Sequence, residues 1–196
     1  MSAGITDGTP FFSVVVGALQ DLNIPYMITG SMCCTAFGEP RSTNDVDIVI
    51  DPELGQVELL VERFQASAYI SREAALDAFR RRTMFNVISN ETMEKIDFIL
   101  LKQTAYGATA FGRRSIQDFG SVKALSTTPE DAILSKLVWS RRTLSEVQSR
   151  DIVGIVRALP DALDMEYLRH WGSQLGVLSR LEEMLKERDE SDASPD

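Results

Sequence analysis

The chain has 196 residues, 44% of them hydrophobic and 25% charged, with 12 Gly and 7 Pro, which excludes the fibrous, low-complexity and disulfide-scaffold classes. The net charge is −9, but residues 182–196 hold seven Asp or Glu against two Lys or Arg, so the remaining body carries only −4. A uniformly basic nucleic-acid coat is thereby excluded, while a local basic patch is not.

Thr9-Pro10 makes a helix start, and Phe11, Val15, Ala18 and Leu22 recur at helical spacing up to the break at Asn23 to Pro25. The stretch from Phe11 to Leu19 is the longest apolar one, and Ser13 and Gly17 interrupt it well short of the roughly 20 residues of a bilayer span. No Lys or Arg precedes Arg41, so a secretory signal with its positive start is not expected, and the protein is read as cytoplasmic, with no membrane partner. Tyr26 to Thr29 reads as a short strand, followed by Gly30-Ser31 and a brief helix ending near Gly38. Asp45 to Asp51 alternates strictly, with Val46, Ile48 and Ile50 on one face and Asp45, Asp47 and Val49 on the other.

Pro52 opens a helix whose Val57, Leu60, Val61 and Phe64 share a face, and a shorter helix is expected at about 73–82. Met84 to Ser89 and Glu94 to Leu101 form a predicted hairpin, with Ile96, Phe98 and Leu100 on one side of the second strand and Asp97 on the other. From Pro129 the pattern turns helical, at about 129–142, about 145–159 and in two shorter segments after Pro160. The expected division is an α/β core at 1–126, a helical bundle at 127–186 and an acidic, disordered tail at 187–196. Strands first and helices afterwards make this an α+β chain with a small mixed sheet.

One histidine, His170, and two adjacent cysteines, Cys33 and Cys34, cannot build a multi-histidine or cysteine-rich metal centre, so catalysis is expected from carboxylates. Asp45 and Asp47, two apart on a strand, project to the same face with Cα atoms roughly 7 Å apart. Such a pair suits Mg²⁺, which takes oxygen ligands from one or two carboxylates and from substrate phosphates. Gly30 lets the backbone approach a phosphate, and Ser31 adds a hydroxyl and exposed N–H donors at a helix start. If Asp97 neighbours the pair, the three anions require cations. Two ions about 4 Å apart would activate a hydroxyl and stabilise a leaving pyrophosphate, with Asp97 taking the proton. Arg41, four residues before the Asp45 strand, is a candidate grip for a triphosphate or an acceptor phosphate.

The order Gly-Ser, Asp-x-Asp, separate Asp resembles the nucleotidyltransferase superfamily with a polymerase-β-like core. Gly30-Ser31 with the run Glu39-Pro40-Arg41-Ser42-Thr43-Asn44-Asp45-Val46-Asp47 is similar, more narrowly, to bacterial AbiEii-like nucleotidyltransferases, many of them toxins of toxin–antitoxin pairs. The resemblance spans roughly residues 10–160. It implies that Asp45, Asp47 and Asp97 bind metal, that Lys136 contacts the nucleotide and that Asp151 is the acidic residue of the last motif. It further implies an NTP substrate, transfer of a nucleoside monophosphate to tRNA or protein, and an antitoxin partner.

Alternatives stand beside this reading. Lys136 falls roughly 130° from the buried face of its helix, defined by Ile133, Leu134, Leu137 and Val138, which also allows a solvated lysine. Arg80-Arg81-Arg82, Arg113-Arg114 and Arg141-Arg142 make an RNA path if gathered and solvated faces if dispersed. A glycosyltransferase would use Asp-x-Asp without Gly30-Ser31 or Asp97. A nucleotidyltransferase-like module without catalysis would bind RNA or serve as an antitoxin.

Overall fold

Alternation in the first two-thirds of the chain builds a sheet, and helical periodicity supplies its covers. The computed structural model describes residues 10–37, 45–120, 122–140 and 146–192. The strands are β1 (Tyr26–Thr29), β2 (Asp45–Ile50), β3 (Ala68–Ile70), β4 (Met84–Ser89), β5 (Lys95–Leu100), β6 (Ser115–Phe119) and β7 (Val122–Ser126). They form one seven-stranded sheet in the order β3-β4-β5-β2-β1-β7-β6. Pairing is parallel for β2 with β5 and for β1 with β7, and antiparallel elsewhere, so the sheet is mixed.

The helices are α1 (Phe11–Asp21), α2 (Gly30–Phe37), α3 (Leu54–Phe64), α4 (Arg72–Arg81), α5 (Ala105–Gly112), α6 (Pro129–Trp139), α7 (Glu146–Ala158), α8 (Met165–Gln174) and α9 (Leu178–Asp192). Their starts follow local chemistry. Ser71 caps α4 by accepting from Ala74 N, Asp164 caps α8 by accepting from Tyr167 N, and Thr128 caps α6 with Pro129 in its first turn.

Two apolar clusters hold these elements. In the first, Ile48 and Ile50 of β2 and Ile96, Phe98 and Leu100 of β5 are fully buried with Phe11, Val15 and Leu19 of α1 and Val57, Leu60 and Phe64 of α3. The second joins Ile133, Leu134 and Leu137 of α6 to Ile152 and Ile155 of α7, Leu168 of α8 and Leu181 of α9. Phe37, the last residue of α2, packs against both.

Three features depart from the sequence reading. The edge strand β3 is only three residues long with Tyr69 largely exposed, and it carries no alternation long enough to register. Residues 105–126, which gave no pattern, form α5, β6 and β7; α5 is rich in Gly and Ala, and β6 leaves Ile116 exposed. Finally, α9 is the longest helix among the described residues at 15 rather than a short one, and it runs into the acidic stretch as far as Asp192.

Candidate active site

The site begins where β1 enters α2. Gly30 has φ +72°, and a Cβ there would lie 2.0 Å from Asp47 Oδ2, so glycine alone allows both the turn and the approach of that carboxylate. Ser31 follows, half-buried at the start of α2. The sheet supplies the rest. Antiparallel pairing sets Thr29 opposite Asp47 on one side, and parallel pairing sets Asp97 opposite Asp47 and Lys95 opposite Asp45 on the other. Partners in register share a face. Asp45, Asp47, Lys95 and Asp97 therefore form a two-by-two block on the face opposite the buried Ile48, Ile96 and Phe98.

The geometry is electrostatically uneven. Burial first, then the charges of Asp97 and Asp45, push the Asp47 carboxyl above the usual range, while Lys95 and Lys136 pull it back. The Lys95 ammonium lies 2.9 Å from Asp97 Oδ2 and 3.5 Å from Asp45 Oδ1. Its hydrogen bond to Asp97 is the main reason its own pKa is raised. Asp97 is buried, and its second oxygen, Oδ1, has no hydrogen-bond partner among the described residues.

Helix α6 brings a second set of groups over this face. A cleft of about 220 Å³ is lined by Gly30, Ser31, Asp47, Lys136, Met84 and Trp139, among others. Lys136 is not a solvated lysine. Its ammonium donates to Asp151 Oδ2 at 2.7 Å, and the two side chains are only 11% and 9% exposed. The angle from the helix's apolar face missed this because α6 is covered by α2, α7 and α8 rather than packed along one stripe. Arg41 lies outside the described residues, as do Arg141 and Arg142. The other arginine clusters are engaged locally: Arg81 with Asp77, Arg82 with Asp51, and Arg113 with Glu130.

Sequence reasoning brought Gly30, Ser31, Asp45, Asp47, Asp97, Lys136 and Asp151 forward, and the fold gathers them around one cleft and the adjoining block. It overlooked Lys95, although a lysine two residues before Asp97 on a strand has to share its face. It also overlooked the apolar wall of the cleft, Met84, Ile99 and Trp139, of which Trp139 is 72% exposed.

A second polar cluster fixes α6. Tyr167 Oη donates to Asp131 Oδ1 at 2.7 Å, Thr128 Oγ1 donates to Oδ2 at 3.0 Å, and the Arg113 guanidinium stacks 3.8 Å from the Tyr167 ring. Burial raises the Asp131 carboxyl, against those hydrogen bonds, and burial likewise raises the Tyr106 and Tyr167 hydroxyls.

The three aspartates offer only hard oxygen donors, one buried oxygen lacks a partner among the described residues, and burial followed by their mutual repulsion raises Asp47. These are the properties a divalent cation relieves, so the residues fit one. Among the described residues, no trio of His, Cys, Asp or Glu is arranged to hold an ion as it stands. The Lys95 ammonium reaches two of the three carboxylates.

No protein-family model and no curated protein matches the chain. Solved structures do. It is similar to an antigenic nucleotidyltransferase-like protein from Paracoccidioides brasiliensis, at 18% identity over 89% of each chain with a TM-score of 0.53. It is similar to ANT(2'')-Ia in complex with adenylyl-2''-tobramycin, at 15% identity over 84% of this chain and 95% of that one, TM-score 0.58. The lincosamide antibiotic adenylyltransferase LnuA, bound to lincomycin, matches at 11% identity over 72% and 92%, TM-score 0.50. The chain thus has the nucleotidyltransferase fold: an α+β core on a mixed sheet, followed by helices. Among the described residues, no helix is long and apolar enough to cross a membrane.

Proposed function

We propose that this chain is a Mg²⁺-dependent nucleotidyltransferase that moves a nucleoside monophosphate from an NTP to an acceptor hydroxyl and releases pyrophosphate. The observation that carries the proposal is the register of β2 with β5, which sets Asp97 beside Asp47, the carboxylate that closely approaches Gly30. Asp45, Asp47 and Asp97 would hold the metal, with two ions in the fullest version of the site. Bound Mg²⁺ supplies charge to neutralise the triphosphate and lowers the pKa of a coordinated hydroxyl.

The chain's own groups do the rest. Gly30 and the backbone N–H groups at the start of α2 receive phosphate oxygens, and Ser31 adds its hydroxyl. Lys136, steered by Asp151, points a cation at the nucleotide from α6. Met84, Ile99 and Trp139 give a flat base an apolar wall. Arg41 is assigned a phosphate of the NTP or of the acceptor. Asp97 takes the proton of the attacking hydroxyl; that oxygen bonds to the α-phosphorus as the bond to pyrophosphate breaks.

The acceptor we favour is a macromolecule, tRNA or protein, in a toxin of a bacterial toxin–antitoxin pair held in check by a partner protein. That choice rests on the AbiEii-like run at residues 39–47. A small hydroxylated acceptor is the second reading, because the chain spans 95% of the length of ANT(2'')-Ia, whose structure is in complex with adenylyl-2''-tobramycin. Incubation with four α-labelled NTPs in turn, with cellular RNA, cellular protein and hydroxylated antibiotics, tests both. Label should move onto one acceptor class and be lost in an Asp45→Asn/Asp47→Asn variant. Unchanged labelling in that variant would remove the assigned site. Growth arrest on expression of the wild type, and none with the variant, tests the toxin role.

A further inference from the structure

We propose that Lys95 is a resident counter-cation of the carboxylate block, which competes with the divalent metal for Asp97 and Asp45 and so sets a threshold for metal loading. The inference deepens the proposed function, because it rests on the metal-site reading of Asp45, Asp47 and Asp97.

The block holds three anions and one cation. Lys95 reaches Asp97 Oδ2 at 2.9 Å and Asp45 Oδ1 at 3.5 Å, thereby tying the two strands together across the face where an ion has to sit. Asp97 has one oxygen on that ammonium and the other without a partner among the described residues. A cation held by Asp47 and Asp97 would lie within a few ångströms of the ammonium, and two like charges at that range repel strongly. One of them has to leave. Lys95 is the one able to, since its side chain is 35% exposed and its four-carbon stem is flexible, whereas the Asp97 side chain is 9% exposed and fixed on a central strand.

Two consequences distinguish this device from an ordinary ion pair. Metal affinity is lower than three carboxylates alone would give, and it recovers when a triphosphate arrives with oxygen donors of its own. The site then loads metal together with nucleotide rather than ahead of it.

Mn²⁺ serves as the probe, with free ion counted by electron paramagnetic resonance in protein first stripped with EDTA. The Lys95→Met variant, which keeps the stem and removes the charge, should bind Mn²⁺ roughly tenfold more tightly than wild type, the loss of one charge-assisted hydrogen bond from the competing state. Its melting temperature in EDTA should fall, and Mn²⁺ should raise it by more than it raises that of the wild type. Lys95→Arg should stay near wild-type affinity. Lys95→Gln replaces Lys95→Met if the latter does not fold by circular dichroism. Equal or weaker Mn²⁺ binding in the folded uncharged variant overturns the proposal while leaving the metal site intact. Absence of binding in wild type and variant alike overturns the metal-site reading itself. Loss of binding in Asp47→Asn confirms that the signal comes from this block.

Discussion

Burial, together with the neighbouring Asp97 and Asp45, disfavours the charge on Asp47, and removing that charge should stabilise the metal-free protein. In-register strands are about 4.8 Å apart, so at an effective dielectric constant of about 20 the repulsion between Asp47 and Asp97 is about 3 kcal/mol gross. The attraction of Lys95 offsets much of it, and water around the exposed Asp45 screens more. A net gain of about 1 kcal/mol is therefore expected for Asp47→Asn at pH 7, or a melting temperature raised by about 2–4 °C for a chain of this size. The sign with pH is fixed. A carboxyl whose folded pKa lies above its usual 3.8 contributes stability that is complete below that value and is lost as pH rises through the folded pKa. The advantage of the variant should thus shrink toward zero on acidification below pH 4 and grow toward neutrality. Urea and thermal unfolding in EDTA at several pH values measure it. Saturating Mg²⁺ should then stabilise the wild type and leave the variant unmoved. An Asp47→Asn protein that is less stable in EDTA at pH 7, or whose advantage persists unchanged in acid, would refute the electrostatic account.

Gly30→Ala should cost roughly 2 kcal/mol or more in unfolding free energy and abolish Mn²⁺ binding, because the new Cβ meets both a positive φ and Asp47 Oδ2. Lys136→Met should destabilise by about 3–5 kcal/mol by taking the ammonium away from the buried Asp151 carboxylate, whereas Lys136→Met combined with Asp151→Leu should recover most of that loss and still transfer no label. Above pH 10 the wild type should lose stability, since Tyr167 ionises more readily unfolded than folded. Tyr167→Phe should show a shallower decline in urea midpoint between pH 9 and 11, from a starting point about 1–3 kcal/mol lower.

The strands that carry the aspartates were legible because each has one apolar and one polar face, and a period of two shows even in six residues. Val46, Ile48 and Ile50 announce β2 as clearly as Asp45 and Asp47 announce its use. The Gly30-Ser31 turn was legible for the opposite reason, a break in pattern directly after a strand. What the chain hid was contact between distant segments. The helical wheel left a solvated Lys136 open because it knows only its own helix, and the carboxylate that pairs with it arrives from α7. Lys95 went unread because a lone lysine on a strand resembles any edge charge until the parallel register sets it against Asp45. The segment 105–126 was silent because its helix is built from small residues and its hairpin lies at the sheet's edge, where neither period is enforced.

Register is also what ties the chemistry to the core. Shifting β5 by one residue against β2 would bring Phe98 or Ile96 level with Asp47 and turn Asp97 into the apolar cluster, which side chains alternating with a period of two do not permit without loss of the packing on α1 and α3. Burying one aspartate while exposing three large apolar residues would cost several kcal/mol. The cluster formed by Ile48, Ile50, Ile96, Phe98 and Leu100 therefore holds Asp97 beside Asp47 far more firmly than any contact on the site face could, since that face is held by repelling anions and one partly exposed lysine. Asp-to-Asn substitutions in the block should for that reason change binding with little change in fold. A cavity made beneath it, as by Phe98→Ala, should loosen the pairing of β2 with β5 and weaken Mn²⁺ binding without touching a single carboxylate.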